Sequence, residues 1–326
     1  MQMVPDVLRR VDRPAPPVRQ VVDFARGAPS IHNTQPWLWG ARGNRLELYA
    51  DRTRQLAVTD PTGRNLVISC GAALEYARVA AAALGWTAEV EAGDRRLADH
   101  LATLVLEPGR ATPAAEEAHR LLQLRYTDRR RFTSWPIPTG LLERLARSLG
   151  ETGVTVVPLT APADRIRVEL VAREATRLEQ VLPGYEEEQR AWIERGPDDG
   201  VPAATLATDQ HRDRRPSRYD GDPAEATDDV RSTDGVLVLC ATEDDPVAWL
   251  RTGELLCRLW ARAAQEGLSL VPLSQPVEIH RTRRALREIL GGDLHPELVV
   301  RVGWQEIARS PLPRTPRRPL SEVLID

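Results

Sequence analysis

The chain has 326 residues, of which 28% are charged and 42% are hydrophobic. A chain of this length and composition can bury a substantial core, which excludes intrinsic disorder and a disulfide-dependent scaffold. The net charge of −3 excludes a generally basic nucleic-acid-binding protein and gives no sign of binding to a membrane surface. The three cysteines lie far apart and lack metal-ligand spacing, which favours a reduced compartment and predicts no metal site.

Arginine provides all 44 basic residues, because the sequence contains no lysine. A phosphate group bound by this protein must therefore be held by arginine or by backbone N–H groups. The longest apolar stretches fall far short of the roughly 20 residues that span a bilayer. The first ten residues contain no hydrophobic signal-peptide core. We therefore expect a cytoplasmic protein without membrane partners.

The first 112 residues contain one strongly predicted helix and several short strands. The helix over 66–84 is rich in alanine and nearly apolar on all sides, a pattern typical of a buried helix. The other predicted elements are a helix over 18–27 and strands over 46–50, 86–92 and 101–106. The stretch 108–113 (PGRATP) is the clearest linker, and it divides the chain into a half over 1–112 and a half over 113–326.

The second half also mixes helices and strands. The predicted helices cover 114–124, 141–149, 165–181, 185–195 and 249–265, and the predicted strands cover 154–159, 236–241 and 298–302. A polar segment over about 196–226 is too long for an ordinary connection, so it is either disordered or a functional lid. Because helices and strands mix without strict βαβ alternation, we predict an α+β fold rather than a doubly wound sheet.

The loop at 29–37, with the sequence PSIHNTQPW, carries the strongest functional signal. Its hydroxyl and amide side chains are those of Ser30, Asn33, Thr34 and Gln35. Such groups can satisfy the donors and acceptors of a flat heterocycle and the hydroxyls of a ribityl chain. On spacing alone, an ordinary turn with polar caps is the alternative. Walker A, G-x-G-x-x-G, H-E-x-x-H and G-x-S-x-G motifs are absent from the sequence.

The PSIHNTQPW loop closely resembles the FMN-contacting loop of the nitroreductase superfamily. Further segments resemble the Acg-like branch of that family, namely LYADRTRQLAVTDPTGRNLVISCGAALEYARVAAAALG, RYTDRRRF, GLSLVPLSQPVEIHRTR, VVRVGW and TPRRPLSEVL. An ordinary member is a homodimer with FMN at the subunit interface, and the Acg-like branch resembles two protomers fused in one chain. The resemblance therefore implies a nitroreductase-like fold of two halves forming an intramolecular pseudo-dimer, in solution a monomer or a weak homodimer.

The same resemblance implies one FMN site per chain, built from both halves. The first half carries the PSIHNTQPW loop, and the second half carries a version of the family's R-R-[ST]-x-R motif at 125–129. The residues implied to bind FMN are Pro29, Ser30, Asn33, Gln35, Arg125, Thr127, Arg129, Pro272, Leu273, Ser274, Gln275, Arg317 and Arg318. The arginines suit a phosphate, and 272–275 resembles the loop that places backbone N–H groups near flavin N5. A solvated basic run and a basic C-terminal tail are the alternatives for these arginines.

The resemblance implies an FMN-dependent oxidoreductase with a small-molecule substrate. It would take hydride from NADPH or NADH and pass it to an acceptor such as a nitro compound or a quinone, with ping-pong kinetics. No side chain is expected to serve as a catalytic acid, base or nucleophile, because the flavin carries the chemistry. The alternative is a non-enzymatic FMN-binding or flavin-sequestering protein whose lid closes the active face.

Overall fold

The computed structural model describes residues 15–94, 96–129, 132–147, 149, 153–193, 195–202, 234–305 and 313–325. The helices are α1 Val18–Ala25, α2 Arg64–Ala83, α3 Pro113–Leu124, α4 Thr139–Arg147, α5 Pro162–Gln180, α6 Tyr185–Trp192, α7 Pro246–Gln265, α8 Gln275–Glu278, α9 His280–Ile289 and α10 Leu320–Val323. The strands are β1 Trp37–Arg42, β2 Arg45–Ala50, β3 Trp86–Ala92, β4 His100–Pro108, β5 Val154–Pro158, β6 Gly235–Ala241, β7 Leu268–Leu273, β8 His295–Trp304 and β9 Leu324–Ile325.

The strands form two sheets with matching order. One sheet runs β3-β4-β2-β1-β9 and the other runs β7-β8-β6-β5. In both sheets the first four strands pair antiparallel, and a long helix, α2 or α7, connects the second strand in the chain to the third. Strand β9, near the C-terminus, pairs parallel with β1, placing Leu324 beside Trp39. Antiparallel sheets packed with helices make the fold α+β, which confirms the predicted class.

Helices α2 and α7 cross at the centre of the molecule. A Cβ atom added at Gly71 of α2 would lie 1.9 Å from the carbonyl oxygen of Leu250, and one added at Gly253 of α7 would lie 1.9 Å from that of Ile68. Only glycine permits such an approach of two backbones. A single hydrophobic cluster contains residues from both helices and both sheets. The two halves therefore share one core.

Helix α2 is the one described helix that is long and apolar enough to cross a membrane by length and composition alone. Of its most hydrophobic window, 78% is buried inside the protein. Burial of this kind is expected for the central helix of a folded domain, as its uniformly apolar sequence predicted.

Two buried glutamates and two partly exposed arginines also connect α2 and α7. Arg78 lies 3.0 Å from Glu75 and 3.1 Å from Glu254, whereas Arg258 lies 3.4 Å from Glu75 and 3.3 Å from Glu254. Each glutamate thus pairs with an arginine of its own helix and with one of the other helix. Since removing one member would leave a buried carboxylate or guanidinium uncompensated, the network fixes the register of the two helices.

The helices and strands predicted from the sequence are all present, with ends shifted by a few residues. Six described helices and strands were not predicted, namely β1, β7, α8, α9, α10 and β9. Of the predicted lid, residues 203–226 lie outside the described residues.

Candidate functional site

The PSIHNTQPW loop has an unusual backbone that α2 holds in place. Asn33 and Gln35 have positive φ values of 55° and 48°, a region that few residues other than glycine adopt and that asparagine tolerates best among them. The backbone N–H of Ile31 donates to Ser69 Oγ of α2 at 3.1 Å, and that of Gln35 donates to Ser30 Oγ at 3.0 Å. Short-range hydroxyl contacts therefore stabilise a strained loop at a position where binding residues are often found.

Four stretches of the chain that are distant in sequence meet at one cleft, which we call the loop cleft. Its lining residues are Pro29, Ser30, Asn33, Arg125, Tyr126, Thr127, Arg129, Val201, Pro313, Thr315 and Arg317. The structure thus brings the PSIHNTQPW loop of the first half against the 125–129 segment of the second half and against the C-terminal segment. Of the predicted FMN-binding residues, Pro29, Ser30, Asn33, Arg125, Thr127, Arg129 and Arg317 line this cleft.

Arg125 extends over aromatic side chains at one end of the loop cleft. Its Nε donates to the Tyr76 hydroxyl at 2.8 Å, and its guanidinium lies 4.6 Å from the centre of the Trp260 ring. Its remaining hydrogen bond joins Nη1 to Thr127 Oγ1 at 3.4 Å. All these partners are neutral, so within the described ranges no carboxylate neutralises this guanidinium.

Arg317 is the second such cation, and it contacts the PSIHNTQPW loop directly. Its Nη1 donates to Asn33 Oδ1 at 3.0 Å and to Thr315 Oγ1 at 2.6 Å, and its Nη2 donates to the carbonyl of Gly27 at 3.2 Å. Its buried Nε has no hydrogen-bond partner among the described residues. Burial and the nearby Arg125 guanidinium lower the pKa of Arg317 to about 10. A bound anion would compensate the desolvation of the Arg317 guanidinium and its repulsion by Arg125.

Gln35 and Arg318 lie behind the PSIHNTQPW loop and do not line the cleft. Gln35 is fully buried, and its Oε1 accepts from the backbone N–H of Arg318 at 2.8 Å. Arg318 Nη1 donates to the carbonyl of Gln35 at 3.1 Å and lies 3.5 Å from Asp51. These two predicted residues therefore support the loop, in contrast to Arg317.

The predicted 272–275 loop lies at the other end of α2. It comprises the end of β7, Ser274 and the first residue of α8. Helix α8 is held by two residues at the start of α2: Arg64 donates to the carbonyl of Val277, and Asn65 donates to Glu278 Oε1 at 3.1 Å. Tyr76, which contacts Arg125, lies further along the same helix. At 1.5 Å per residue, the stretch of α2 between Asn65 and Tyr76 is about 16 Å long. The 272–275 residues are not among those lining the loop cleft.

Residues 195–202, the described start of the predicted lid, lie against the loop. Asn33 Nδ2 donates to the carbonyl of Gly200 and Gln35 Nε2 to that of Asp198, both at 2.9 Å. The Asp199 carboxylate pairs with Arg54. In this arrangement the cavity volume of the loop cleft is about 50 Å³, well below the roughly 300 Å³ of a typical ligand pocket. The segment therefore covers the cleft and engages two amides predicted to bind FMN.

Cys70 lies inside α2 and is fully buried. Its Sγ donates to the carbonyl of Pro36 at 3.2 Å, and burial raises the pKa of the thiol far above its usual range. This is a packing residue that also anchors the end of the PSIHNTQPW loop, not a nucleophile. In the described part of the chain, no group of three His, Cys, Asp or Glu side chains could hold a metal ion.

Sequence reasoning missed three residues that shape the loop cleft. Tyr76 accepts from Arg125 and donates to the carbonyl of Leu122 at 3.1 Å. Trp260 supports the same arginine, and the buried Val201 closes the cleft. A single tyrosine or tryptophan on an apolar helix face gives no sequence signal for such a role, because it is indistinguishable from a core residue.

Comparison with known proteins adds relatives to this geometry. No family model matches the chain. The chain is 37% identical over 314 residues to a Mycobacterium tuberculosis protein provisionally named NAD(P)H nitroreductase Rv3131, covering 94% of this chain and 90% of the relative. It is 34% identical over 323 residues to the acg protein of the same organism, also provisionally named an NAD(P)H nitroreductase, with 94% of each covered. Among solved structures, the FMN-dependent nitroreductase NfnB from Mycobacterium smegmatis in complex with NADPH matches at 18% identity and a TM-score of 0.43, covering 64% of this chain and 97% of that chain. Since both curated relatives match over nearly their whole length, the chain belongs to the nitroreductase superfamily, in its Acg-like branch, as its motifs indicated.

Proposed function

We propose that this protein is an FMN-dependent NAD(P)H oxidoreductase of the nitroreductase type. The observation that carries the proposal is the pair of arginines, Arg125 and Arg317, that share one cleft with the PSIHNTQPW loop and hydrogen-bond only neutral groups among the described residues. Both arginines are half-buried, and a partly desolvated guanidinium without a carboxylate is unfavourable unless an anion binds it. The family membership of the chain supports the phosphate of FMN as that anion.

The residues present fit FMN in three groups arranged along α2. Arg125, Arg129 and Arg317 would hold the phosphate, and Ser30 and Asn33 would bind the ribityl chain from the facing loop. The backbone N–H groups of 272–275 would donate to the flavin ring. The separation of about 16 Å along α2 between the residues that hold α8 and the one that contacts Arg125 suits an elongated cofactor with a ring at one end and a phosphate at the other.

Bound FMN would supply hydride transfer, so the protein's own groups have to bind, orient and exclude water. We propose NADPH or NADH as the reductant and a small nitro compound or quinone as the acceptor, each using the same flavin face in turn. Val201 and the covering segment would exclude water from the cleft once closed. The lid over about 196–226 and a cytoplasmic location belong to the same proposal.

The division into two fused halves, over 1–112 and 113–326, is part of the proposal. Three observations support it. The two sheets repeat one strand order around α2 and α7, the two helices cross at paired glycines, and β9 from the end of the second half completes the sheet of the first. We infer an internal pseudo-dimer that exists as a monomer or a weak homodimer.

A second candidate function is flavin sequestration without turnover. It is favoured by one observation: Asn33 and Gln35 donate to the carbonyls of residues 200 and 198, so the loop's amides are engaged by the chain itself. A protein that keeps this cover closed over FMN would bind the cofactor and exclude reductants from its face.

One experiment separates these functions. The protein is loaded with FMN, freed of oxygen and mixed with NADPH or NADH while the flavin absorbance near its visible maximum is followed. An oxidoreductase is expected to hold one FMN per chain, to bleach, and to recover its colour when a nitro compound or quinone is added. A sequestering protein would hold FMN and stay yellow. Failure to bind FMN at all would overturn both functions.

A further inference from the structure

A second cleft lies next to the loop cleft, and we call it the adjacent cleft. Its volume is about 480 Å³, which falls within the range of roughly 300–1,000 Å³ typical of small-molecule sites. The two clefts share Arg125, Tyr126, Thr315 and Arg317 in their linings. The adjacent cleft is therefore continuous with the arginine end of the candidate flavin site.

The adjacent cleft is positively charged. Besides the two shared arginines, it is lined by Arg26 and Arg314, and the single acidic residue in its lining is Asp23. Asp23 pairs with Arg26 at 2.7 Å. Arg314 donates to the backbone carbonyl of Gln123 at 3.3 Å, a neutral acceptor. Arg125 and Arg317 are assigned to the flavin phosphate and Arg26 is paired with Asp23, so Arg314 is the guanidinium in this lining that remains for a further phosphate group.

Stacked rings form one wall of the adjacent cleft. The Phe24 ring lies 4.0 Å from the His119 ring at an interplanar angle of 19°, and 5.1 Å from the Tyr76 ring at 27°. Burial lowers the pKa of His119, so its ring is neutral at pH 7. Tyr76 is fully buried, so the half-exposed rings of Phe24 and His119 are the ones that can stack on a nucleobase. Inorganic phosphate alone would leave this surface unused.

We infer that the adjacent cleft binds the adenosine 5′-phosphate group of a nucleotide. The inference rests on the proposed function for the position of the flavin phosphate, which would lie at Arg125 and Arg317. Tyr76 marks the phosphate end of the flavin site along α2, and the adjacent cleft continues beyond it towards α1 and α3. The group can come from two sources, either the AMP half of FAD, linked through its pyrophosphate, or a free adenine nucleotide beside FMN.

The first test uses the FMN-loaded protein and calorimetric titration with AMP, adenosine and inorganic phosphate. AMP is expected to bind at least about 10-fold more tightly than either component. Arg314→Ala should weaken AMP binding by about 10-fold, the effect of one charge-assisted hydrogen bond. It should change the affinity for FMN by no more than about 2-fold. His119→Ala should weaken AMP and adenosine and leave inorganic phosphate unchanged. The matched control is Arg120→Ala, an exposed arginine on α3 outside the lining, which should change none of these affinities.

The second test distinguishes the sources by titrating FMN-free protein with FMN and FAD. If the AMP half of FAD occupies the cleft, FAD binds at least as tightly as FMN and blocks AMP binding. Arg314→Ala then weakens FAD binding by about 10-fold and leaves FMN binding unchanged. If the ligand is a free nucleotide, AMP binds alongside FMN and FAD binds more weakly than FMN.

The inference is overturned if AMP binds no better than inorganic phosphate and Arg314→Ala leaves FAD affinity unchanged. A protein that fails to bind FMN would refute the proposed function instead. AMP titration of that FMN-free protein, with Arg314→Ala and Arg120→Ala, would still decide whether the adjacent cleft is a nucleotide site.

Discussion

Replacing Arg317 should selectively remove the phosphate contribution to flavin binding. The guanidinium holds Asn33 Oδ1 at 3.0 Å and no carboxylate among the described residues, so its charge is available to a phosphate. A hydrogen bond to a charged group contributes about 1.5–3 kcal/mol, and every 1.4 kcal/mol is tenfold in affinity. Arg317→Ala should therefore weaken FMN binding by roughly 10- to 100-fold. Riboflavin, which lacks the phosphate, should lose about 2-fold at most.

The neighbouring Arg318→Ala is the matched control, because this arginine supports the loop and lies outside the cleft lining. It donates to the carbonyls of Gln35 and Glu322 and lies near Asp51. Its removal should weaken FMN and riboflavin by similar factors and should lower the free energy of unfolding by about 3 kcal/mol, since it breaks a buried ion pair and backbone contacts. The two variants should therefore differ in which ligand they weaken, and not only in how strongly they weaken it.

Flavin fluorescence titration measures both affinities, and thermal unfolding checks them independently. FMN at 100 times its Kd stabilises the folded protein by about 2.7 kcal/mol, and a tenfold weaker Kd reduces that by about 1.3 kcal/mol. The stabilisation by FMN should therefore shrink in Arg317→Ala, whereas any stabilisation by riboflavin should not. Equal losses for FMN and riboflavin in Arg317→Ala would refute its role as a phosphate ligand.

Three further predictions concern the framework of the site. Gly71→Ala should lower the free energy of unfolding by several kcal/mol because its methyl group would meet the α7 backbone. Gly140→Ala on α4, whose methyl group would meet just the end of the Arg144 side chain at 3.9 Å, should be neutral or stabilising; equal urea midpoints would contradict the crossing. Burial raises the pKa of Asp60 to about 6 from 3.8. The free energy of unfolding of the parent protein should therefore fall by up to about 3 kcal/mol as pH rises from about 4 through about 6. Asp60→Asn should not show this fall, and parallel pH–stability curves of the two proteins would contradict the prediction. Asp199→Asn removes the ion pair that joins the covering segment to Arg54. FMN association, measured by stopped-flow mixing, should therefore become about 10-fold faster. An unchanged rate would show that the covering segment does not limit FMN entry.

The central helix and the partners in the cleft could be predicted from the sequence because their signals are local. The run over 66–84 is apolar on all sides, and only a buried helix fits such a pattern. The PSIHNTQPW loop and the 125–129 segment are contiguous motifs, so their residues could be named before their meeting in the loop cleft was seen.

Strands β1 and β7 could not be predicted for reasons that lie in their composition. β1 is WLWGAR, a short strand with glycine at its centre, and β7 is LSLVPL, in which Pro272 opposes Val300. Glycine and proline both weaken a strand signal, and proline is tolerated here because β7 is an edge strand. Helix α9 is highly charged and buries just Thr282 and Leu286, so its apolar stripe is too narrow to stand out.

The supporting role of Gln35 was equally hidden from the sequence. Its amide joins the backbone of Asp198 and of Arg318, residues far away along the chain. Its residue type was informative, since a buried glutamine needs several hydrogen-bond partners. The identity of those partners depends on tertiary packing, and an amide suited to a flavin is also suited to a backbone carbonyl. Sequence alone therefore could not separate Gln35 from Asn33, which lines the cleft.

The proposed fusion of two halves accounts for why one composite site is present and a second is not evident. In a symmetric homodimer every residue serves two equivalent positions, so the loop, the arginines and the ring-binding segment must all be kept in one protomer sequence. A fused chain is free of that requirement. Between β7 and β8 the second half inserts the 272–275 loop, α8 and α9, whereas β3 and β4 are joined by the short connection 93–99. The first half in turn carries the single PSIHNTQPW loop. Under this proposal each half carries a part that the other lacks, and a pseudo-symmetric second site would combine a half without the loop with a half without the proposed ring-binding segment. Such a site offers an FMN neither donors for its ring nor amides for its ribityl chain, and this asymmetry is the physical basis for expecting one FMN per chain.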